Sequence, residues 1–309
     1  MSYILTVTLN PCIDKTVTVE KLDLGGLNRA TAERSDVGGK GINVSKVLLA
    51  MKESTLATGI AFGETGKNII KRLDRLGIKN DFLTYDSGES RTNIKLLDKA
   101  SDTVTEINGA GATVDGDMLS EFIKKYTSLL DGASLAVLAG SVPRGIPENI
   151  YETLVSIATQ KGVRTIVDAD GALLKNALSA SPYMIKPNIF ELSRLLDKEV
   201  SPDDLRSAAN DLLSQGINNV AISMGKDGSV FANENEFLRV SAVSVTGGCA
   251  TGAGDSMVAA AAVGIVNNFP LSNLARYASA AGSATASKEG TEVCTLDEIL
   301  ENVNKVIIK

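Results

Sequence analysis

A short glycine turn late in the chain, residues 251–255 (Thr-Gly-Ala-Gly-Asp), combines residue types that can do chemistry. It leads into a run of small residues that predicts a helix over 257–266. Closely spaced glycines let backbone N–H groups point at a phosphate, and a helix amino terminus adds about half a positive charge. The predicted anion hole comprises Gly252, Ala253 and Gly254.

An acidic residue at the end of this turn would repel a bound phosphate if anion binding were its only task. Asp255 makes sense if a proton must be removed beside a phosphate under attack, so we predict that Asp255 is a general base. The alternative is that Asp255 caps its helix.

A second glycine cluster, residues 38–43 (Gly-Gly-Lys-Gly-Ile-Asn), also opens a predicted helix. Its backbone donors, the Lys40 ammonium and the Asn43 amide can converge on one polar ligand, and sugar hydroxyls suit such groups. A plain loop is the alternative. The chain contains neither Gly-x4-Gly-Lys-Ser/Thr nor Gly-x-Gly-x-x-Gly, so it lacks both the Walker A motif and the dinucleotide fingerprint.

The segment 186–191 (Lys-Pro-Asn-Ile-Phe-Glu) places Asn188 and Glu191 three residues apart. On a helix that starts at Asn188, both side chains lie on one face, where their oxygens suit hydrated Mg²⁺. An N-cap at Asn188 with Glu191 as its capping-box partner explains the spacing equally well.

Residues 222–228 (Ile-Ser-Met-Gly-Lys-Asp-Gly) end a predicted strand in a turn that is bracketed by glycines. A turn of this kind at a sheet edge suits nucleotide binding. A simple hairpin accounts for the same residues, and the sequence leaves both interpretations open.

The composition narrows the function classes. The 309 residues carry 31 Lys and Arg against 37 Asp and Glu, a formal charge of −6 without a basic stretch, so nucleic-acid binding is not expected. The absence of histidine excludes Ser-His-Asp and Cys-His catalysis and His-ligated zinc. Acid-base chemistry then falls to Asp, Glu or Lys.

Cysteine usage and hydropathy indicate a cytoplasmic protein. Cys12, Cys249 and Cys294 are odd in number and far apart, which suits neither a disulfide framework nor a metal-ligand spacing. The amino terminus lacks a signal-peptide pattern and predicts a buried strand. The run 257–266 is about half as long as the ~20 residues of a membrane span, so no membrane association is expected.

Short β-branched runs alternate with stretches of helical spacing, and these elements must position the turns. The predicted strands are 3–8, 55–60, 135–139, 165–167 and 219–223. The predicted helices are 41–51, 66–76, 118–130, 146–159 and 202–213. The alternation predicts a single α/β domain over residues 1–309, with a mainly parallel central sheet covered on both faces.

Two regions break this rhythm. Residues 15–20 and 91–108, the latter with the runs 93–97 and 103–107, alternate like strands with one solvent-exposed face. They predict a small β-sheet lid, built from segments at about 11–36 and 88–109, that lies over the carboxyl edge of the main sheet. A hairpin without function is the alternative. Because such a lid exposes strand edges, we expect two lids to pair in a homodimer.

Taken together, five motifs spread over nearly the whole chain resemble those of the PfkB-type, ribokinase-like carbohydrate kinases. They are residues 10–14, 38–43, 186–191, 223–228 and 252–255. The resemblance implies a three-layer α/β/α sandwich and phosphorylation of a carbohydrate by ATP, with Mg²⁺ as the metal. Residues 9–16, 28–29, 90–93 and 139–145 are similar to the 1-phosphofructokinase and tagatose-6-phosphate kinase branch, and they favour the first of these.

At matching positions the resemblance implies a role for each motif residue. Asp255 takes the proton of the acceptor hydroxyl, and the sugar contacts are Asp14, Gly38, Gly39, Lys40, Gly41 and Asn43. The phosphate already on the sugar is held by Arg29, Arg91, Ser141 and Arg144. The ATP and Mg²⁺ contacts are Lys186, Asn188, Glu191, Ser223, Gly225, Lys226, Gly228 and Thr251.

The implied reaction is phosphorylation of fructose 1-phosphate to fructose 1,6-bisphosphate, with tagatose 6-phosphate or fructose 6-phosphate as alternative substrates. A non-catalytic sugar-phosphate sensor is an alternative of another class, against which the intact Gly-Ala-Gly-Asp turn argues. A nicotinamide-dependent oxidoreductase is a further alternative, but this chain lacks the glycine fingerprint of dinucleotide binding. Relatives often carry Asp or Asn and then Thr before the turn, whereas residues 249–250 here are Cys-Ala, which leaves K⁺ activation open.

Overall fold

A computed structural model describes residues 2–244, 251–288, 290 and 292–309. The strands are β1 (Tyr3–Thr8), β2 (Cys12–Val19), β3 (Ala32–Gly38), β4 (Thr55–Phe62), β5 (Leu83–Tyr85), β6 (Arg91–Asp98), β7 (Thr103–Ile107), β8 (Ala133–Ala139), β9 (Arg164–Asp168), β10 (Met184–Ile185), β11 (Asn219–Ser223), β12 (Ser229–Ala232) and β13 (Phe237–Val240). The α-helices are α1 (Lys40–Ala50), α2 (Gly63–Arg75), α3 (Gly116–Leu129), α4 (Ile150–Gln160), α5 (Gly171–Ala177), α6 (Ile189–Leu195), α7 (Leu205–Leu213), α8 (Ala253–Val266), α9 (Leu271–Ala286) and α10 (Leu296–Val303).

The main sheet has the strand order β13-β12-β11-β10-β9-β8-β1-β4-β5. The strands from β11 to β5 pair in parallel, and β12 and β13 add an antiparallel edge. The five predicted core strands all lie in this sheet, which confirms the prediction of a mainly parallel sheet. Because the strands run in parallel, the turns that follow them gather at one carboxyl edge.

Alternation along the strands builds a core on each face of the sheet. In β1, Leu5 and Val7 belong to the apolar core that includes residues of α3 to α7, whereas Ile4 belongs to the core that includes residues of α1, α8, α9 and α10. This is the expected result of a side-chain period of two in a sheet that is covered on both sides.

A second sheet of four strands has the order β3-β2-β6-β7. Strand β2 pairs in parallel with β6, so that Asp14 lies opposite Asn93, and both outer pairs are antiparallel. The predicted small sheet is therefore present, although the pattern missed β3 and placed the start of β2 at residue 15 instead of Cys12. Strand β3 begins with three exposed residues, two of them charged, and does not show the alternation of a half-buried strand.

Four predicted helix starts were wrong by three or four residues. Helix α2 begins at Gly63 instead of residue 66, and α7 begins at Leu205 instead of residue 202. Helix α4 begins at Ile150 instead of residue 146, because the residue before Pro147 is disfavoured in helical conformation. Helix α8 begins at Ala253 instead of residue 257, with Gly252 as an N-cap in the left-handed region at φ 82°. Asp255 consequently belongs to the first turn of α8 and not to the loop before it.

Helix α8 is buried on all sides from Asp255 to Ile265 and packs against α9. A helix that is apolar all round requires such an environment. Among the residues that the structure describes, no helix combines the length and the apolar character needed to span a bilayer.

Candidate active site

Asp255 lies at the carboxyl edge of the main sheet, where α8 begins. It is 7% exposed, and its Oδ2 accepts a hydrogen bond of 2.8 Å from Asn43 Nδ2. Burial and the nearby Asp168 carboxylate raise the pKa of Asp255 to about 6, although Lys40, Asn43 and Lys186 favour the charged form. A carboxyl with this pKa is largely ionised at pH 7 and still takes up a proton readily, as a general base must.

The start of α1 brings Lys40 and Asn43 to this carboxylate. Gly39 is the N-cap at φ 114°, a conformation that side chains rarely adopt. A Cβ on Gly41 would lie 2.6 Å from the Val7 carbonyl oxygen, so α1 can approach the end of β1 only because residue 41 is glycine. The second glycine cluster is therefore a helix start closely packed on the sheet edge.

Two lysines meet at one buried aspartate. Lys40 Nζ lies 3.0 Å from Asp168 Oδ1 and 3.8 Å from Glu191 Oε1, and Lys186 Nζ lies 3.5 Å from Asp168 Oδ1. Burial alone would raise the pKa of Asp168, but Lys186 and Lys40 hold it below its ordinary value. A Cβ on Gly254 would lie 3.3 Å from Lys186 Nζ, so this ammonium faces the turn that was predicted to hold a phosphate.

Asp168 is a site residue that the sequence analysis missed. It ends β9 and is 1% exposed. The available signal was an acidic residue directly after a buried parallel strand, at the sheet edge where ligands of open α/β folds bind.

Asn188 and Glu191 form a capping box, which the sequence analysis gave as the alternative to Mg²⁺ binding. Asn188 Oδ1 accepts from the N–H groups of Phe190 and Glu191, and Glu191 Oε2 accepts from the Asn188 N–H at 2.8 Å. Both lone pairs of the Asn188 oxygen are thus engaged. The Glu191 carboxylate remains as a hard oxygen group at the sheet edge, close to Lys40.

These donors fit Mg²⁺ only in an indirect way. Mg²⁺ commonly keeps several waters and binds through one or two carboxylates together with substrate phosphates. In the described part of the chain, no group of three or more acidic, Cys or His side chains could hold a metal ion. Glu191 suits a contact through water, which leaves the metal's direct coordination to water and substrate phosphates.

The turn between β11 and β12 lies beside this capping box. Ser223 donates its backbone N–H to the Pro187 oxygen at 3.1 Å and forms a parallel bridge with Asn188. Gly225 and Gly228 have φ values of 59° and 89°, and Lys226 is exposed. The turn connects the antiparallel strands β11 and β12, as the hairpin interpretation predicted. A turn in this position can also border a nucleotide.

The small sheet carries the predicted sugar contacts on its inner end. Asp14 Oδ1 accepts from Asn93 Nδ2 at 2.9 Å, and Arg91 Nε donates to the Asn10 carbonyl at 3.2 Å. A Cβ on Gly38 would lie 2.3 Å from Asp14 Oδ2, so this glycine allows the carboxylate to fold against the strand end. Asn93, to which the sequence analysis gave no role, orients Asp14.

Three of the four predicted phosphate contacts lie in exposed connections. Arg29 is exposed in the connection between β2 and β3, and Ser141 and Arg144 are exposed after β8. Within the residues described, neither Arg29 nor Arg144 forms an ion pair through its side chain.

The turn before α8 is described only from Thr251 onward. Ser256 donates its N–H to the Gly252 carbonyl at 2.9 Å and its hydroxyl to the same oxygen at 3.1 Å, which holds the turn to the first turn of the helix. The departure at residues 247–250, including Cys249, and with it the question of K⁺, lies outside the described residues.

The site therefore unites two buried carboxyl groups, two lysines and a helix amino terminus at one sheet edge, next to the end of β3 in the small sheet. Lysines and helix N–H groups can neutralise phosphoryl charge, and the carboxylate can accept a proton from a hydroxyl placed beside it. The described residues thus have the groups needed for transfer of a phosphoryl group to an alcohol.

Comparison with known proteins agrees with this chemistry. The family model described as pfkB family carbohydrate kinase matches residues 7–298. A 1-phosphofructokinase of Bacillus subtilis (strain 168) is 36% identical over 294 residues, which cover 94% of this chain and 95% of that protein.

Solved structures match the whole fold. The crystal structure of phosphofructokinase-2 from Escherichia coli in complex with potassium has a TM-score of 0.93 and 30% identity, with 99% of each chain covered. Structures of the same enzyme in complex with fructose-6-phosphate and in a tetrameric inhibited form have TM-scores of 0.90 and 0.91, each at 29% identity and 99% coverage of both chains.

Proposed function

The chain belongs to the pfkB family of carbohydrate kinases and is an ATP-dependent sugar-phosphate kinase; from this premise we propose that its substrate is fructose 1-phosphate. The predicted family and the ribokinase-like α/β fold are confirmed. The proposed product is fructose 1,6-bisphosphate. Support for this substrate comes from the identity to the B. subtilis 1-phosphofructokinase along almost the whole chain.

The observation that carries the mechanism is the position of Asp255 at the start of α8, with its pKa raised to about 6. In the proposed step, the oxygen of the sugar 6-hydroxyl bonds to the γ-phosphorus of ATP while Asp255 accepts the hydroxyl proton. The bond from that phosphorus to the oxygen bridging the β- and γ-phosphates breaks, and ADP leaves with the bonding electrons.

The charge that builds up on the transferred group is met by fixed donors. We assign the backbone N–H groups of residues 252–254 and the Lys186 ammonium to this task, because they lie around the same turn. Lys40 is held by Asp168 and Glu191, which suits a donor to a sugar hydroxyl or a phosphoryl oxygen. Bound Mg²⁺ would neutralise ATP phosphate charge, with Glu191 contacting it through water.

The remaining assignments follow the two sheets. We propose that Asp14, Gly38, Gly39, Gly41 and Asn43 hold the sugar. Its existing phosphate is assigned to Arg29, Arg91, Ser141 and Arg144, since guanidinium groups bind phosphate oxygens in a bidentate manner. The nucleotide is assigned to Asn188, Ser223, Gly225, Lys226, Gly228 and Thr251.

The small sheet is proposed to act as a lid within a single domain. It carries Asp14 and Arg91, so substrate bound to these residues would tie the lid to the carboxyl edge of the main sheet. Closure of such a lid excludes water from the transferred phosphoryl group.

A substrate panel tests the proposal. ADP release is measured with fructose 1-phosphate, tagatose 6-phosphate, fructose 6-phosphate and fructose, and the Asp255→Asn protein purified in parallel serves as the blank for contaminating kinases. We expect the highest kcat/KM for fructose 1-phosphate. A preference for the unphosphorylated sugar would remove the role given to the arginines.

Fructose 6-phosphate is a second candidate substrate. The specific observation in its favour is the likeness to E. coli phosphofructokinase-2, which was solved in complex with that sugar. The two candidates differ in where the existing phosphate sits, so the ratio of their kcat/KM values in the panel decides between them.

A further inference from the structure

One largely buried lysine of the site has no role in the mechanism above. Lys46 Nζ donates to the Val37 carbonyl oxygen and, at 3.2 Å, to Asn43 Oδ1. The other end of the same amide, Asn43 Nδ2, donates to Asp255 Oδ2 at 2.8 Å. Lys46, Asn43 and Asp255 thus form one continuous chain of hydrogen bonds.

Helical spacing produces this chain. Asn43 and Lys46 are three residues apart on α1 and therefore lie on one face of the helix. Val37, in β3, fixes the Lys46 ammonium from the other side. The lysine is accordingly held between the small sheet and the amide that contacts the carboxylate.

An asparagine amide can face either way, and Lys46 removes that freedom. An ammonium has three donors and no acceptor, so only the oxygen of Asn43 can face it. The NH₂ group must then face Asp255. The reverse orientation would place NH₂ against the ammonium and the amide oxygen against the carboxylate, and both contacts would be repulsive.

The orientation matters for a base. An N–H group that donates to Oδ2 stabilises the ionised carboxylate and occupies that oxygen, which leaves Oδ1 to receive the substrate proton. A flipped amide oxygen would instead accept a hydrogen bond from the protonated carboxyl and stabilise the form that cannot act as a base.

We propose that Lys46 is a positioning residue. It fixes the orientation of the Asn43 amide, so that the amide donates to Asp255 and keeps that carboxylate ionised and oriented with Oδ1 toward the substrate proton. The proposal rests on the proposed role of Asp255 as base. Lys46 itself does not touch the substrate in this arrangement.

Charged groups surround both ends of the chain, and any pH effect must be separated from theirs. Burial lowers the pKa of Lys46, and Asp36, Asp14, Asp255 and Cys12 oppose that effect. Asp255 is faced by Asp168, Lys40 and Lys186. The cavity of about 430 Å³ beside Lys46 is also lined by the charged side chains of Arg34, Arg72, Arg75 and Glu292. All of these groups remain unchanged in the Lys46 variants that are compared below.

The test compares Lys46→Met, which keeps the length of the side chain without the donor, with Lys46→Arg, which keeps a charged donor. For Lys46→Met we expect kcat at pH 7 to fall about tenfold, with KM values within about twofold of the parent. The acidic limb of kcat should move to higher pH, because the ionised base is less stabilised. Lys46→Arg should restore most of the activity and the parent pH profile.

A double-mutant cycle separates positioning from packing. In an Asn43→Ala background, Lys46→Met should change kcat by less than about twofold, because the amide through which it acts is absent. Equal losses with and without Asn43, or an acidic limb that does not move, would overturn the proposal. Should Lys46→Met fail to fold, Lys46→Gln replaces it in the test. The Gln amide can donate or accept a hydrogen bond, so it does not determine which way the Asn43 amide faces.

Failure here is distinguishable from failure of the proposed function. If Asp255→Asn turns over like the parent, the base assignment itself is wrong. If Asp255→Asn is inactive while Lys46→Met behaves like the parent, only the positioning role is wrong. Both readouts use whichever sugar phosphate the panel identifies as substrate.

Discussion

At the scale of the residue, the function we propose and the stability of the fold make opposite demands on Asp255. A base must be ionised, yet burial and Asp168 oppose ionisation of this carboxyl and raise its pKa to about 6. Lys40, Lys186 and Asn43 favour the ionised carboxylate and thereby limit the rise of this pKa. The site thus holds a carboxylate that is ionised at neutral pH and costs the fold some stability.

Replacing Asp255 by Asn should lower kcat by about 10³-fold without unfolding the protein, because a neutral amide cannot accept the hydroxyl proton. In the parent enzyme, kcat should rise with pH through an acidic limb near pH 6. The measurement is kcat against pH, with unfolding followed by circular dichroism. Asp115→Asn at the N-cap of α3 is the matched control, since Asn caps as well as Asp and the position lies outside the site. Turnover of Asp255→Asn at the parent's rate would contradict the prediction.

The same variant should be more stable than the parent at neutral and higher pH. The native pKa of about 6 lies above the ordinary 3.8, so between these values the native state holds a proton that the unfolded chain has lost. The free energy of unfolding of the parent should therefore fall as pH rises from about 4 to about 6, by about 3 kcal/mol in total. Urea denaturation at pH 4 and pH 8 measures this, and Asp255→Asn should lack that part of the slope. Equal slopes in both proteins would contradict it.

At the scale of the element, the start of α1 decides where three polar groups of the site lie. Gly41 lets the helix pack on the end of β1, and the helix then carries Lys40, Asn43 and Lys46 toward the carboxyl edge. The position of the site thus depends on a backbone contact as much as on side chains.

Gly41→Ala should move that helix start and weaken the site. The added Cβ would meet Thr8 Oγ1 at 2.5 Å and the Val7 oxygen at 2.6 Å, so we expect a loss of about 1–3 kcal/mol in the free energy of unfolding. The accompanying displacement of the amide should lower kcat at least about tenfold.

Gly116→Ala is the control for this change, because Gly116 also lies at a helix start but has no atom within 4 Å of its added Cβ. It should be neutral or stabilise the protein by about 0.4–1 kcal/mol. Denaturation and turnover are measured for both variants. A Gly41→Ala protein as stable and active as Gly116→Ala would show that α1 is not held by this contact.

At the scale of the whole molecule, the small sheet leaves an open edge. Strand β7 is exposed along its entire length, with Val104 55% and Ile107 59% exposed. An exposed apolar edge strand invites pairing with another chain, which is the basis for the proposed homodimer.

Light scattering should give a dimer mass for the parent, and Val104→Lys should shift the protein toward the monomer at the same concentration, because a charge on an edge strand opposes pairing. Leu300→Lys is the matched control, since Leu300 is also an exposed apolar residue, at 47%, but lies on α10. A monomer mass for the parent over the working concentration range would contradict the dimer.

The sequence by itself determined what depends on near neighbours along the chain. Short β-branched runs predicted the core strands, the glycine cluster at 38–43 predicted the start of α1 to within one residue, and the spacing of Asn188 and Glu191 allowed for the capping box that the structure contains. These features follow from local backbone preference and hydrogen bonding within a few residues. The motif set was likewise sufficient to identify the family.

Only the tertiary structure decided which groups meet. Asn43 contacts Asp255 across 212 residues, and Lys40 contacts Asp168 across 128. Such pairs depend on strand order, on the close approach of α1 to β1 and on the burial that results, and no short pattern encodes these. For the same reason the sequence analysis did not identify Asp168 and Lys46. The charges of these residues acquire a role only when folding removes water and places a partner beside each of them.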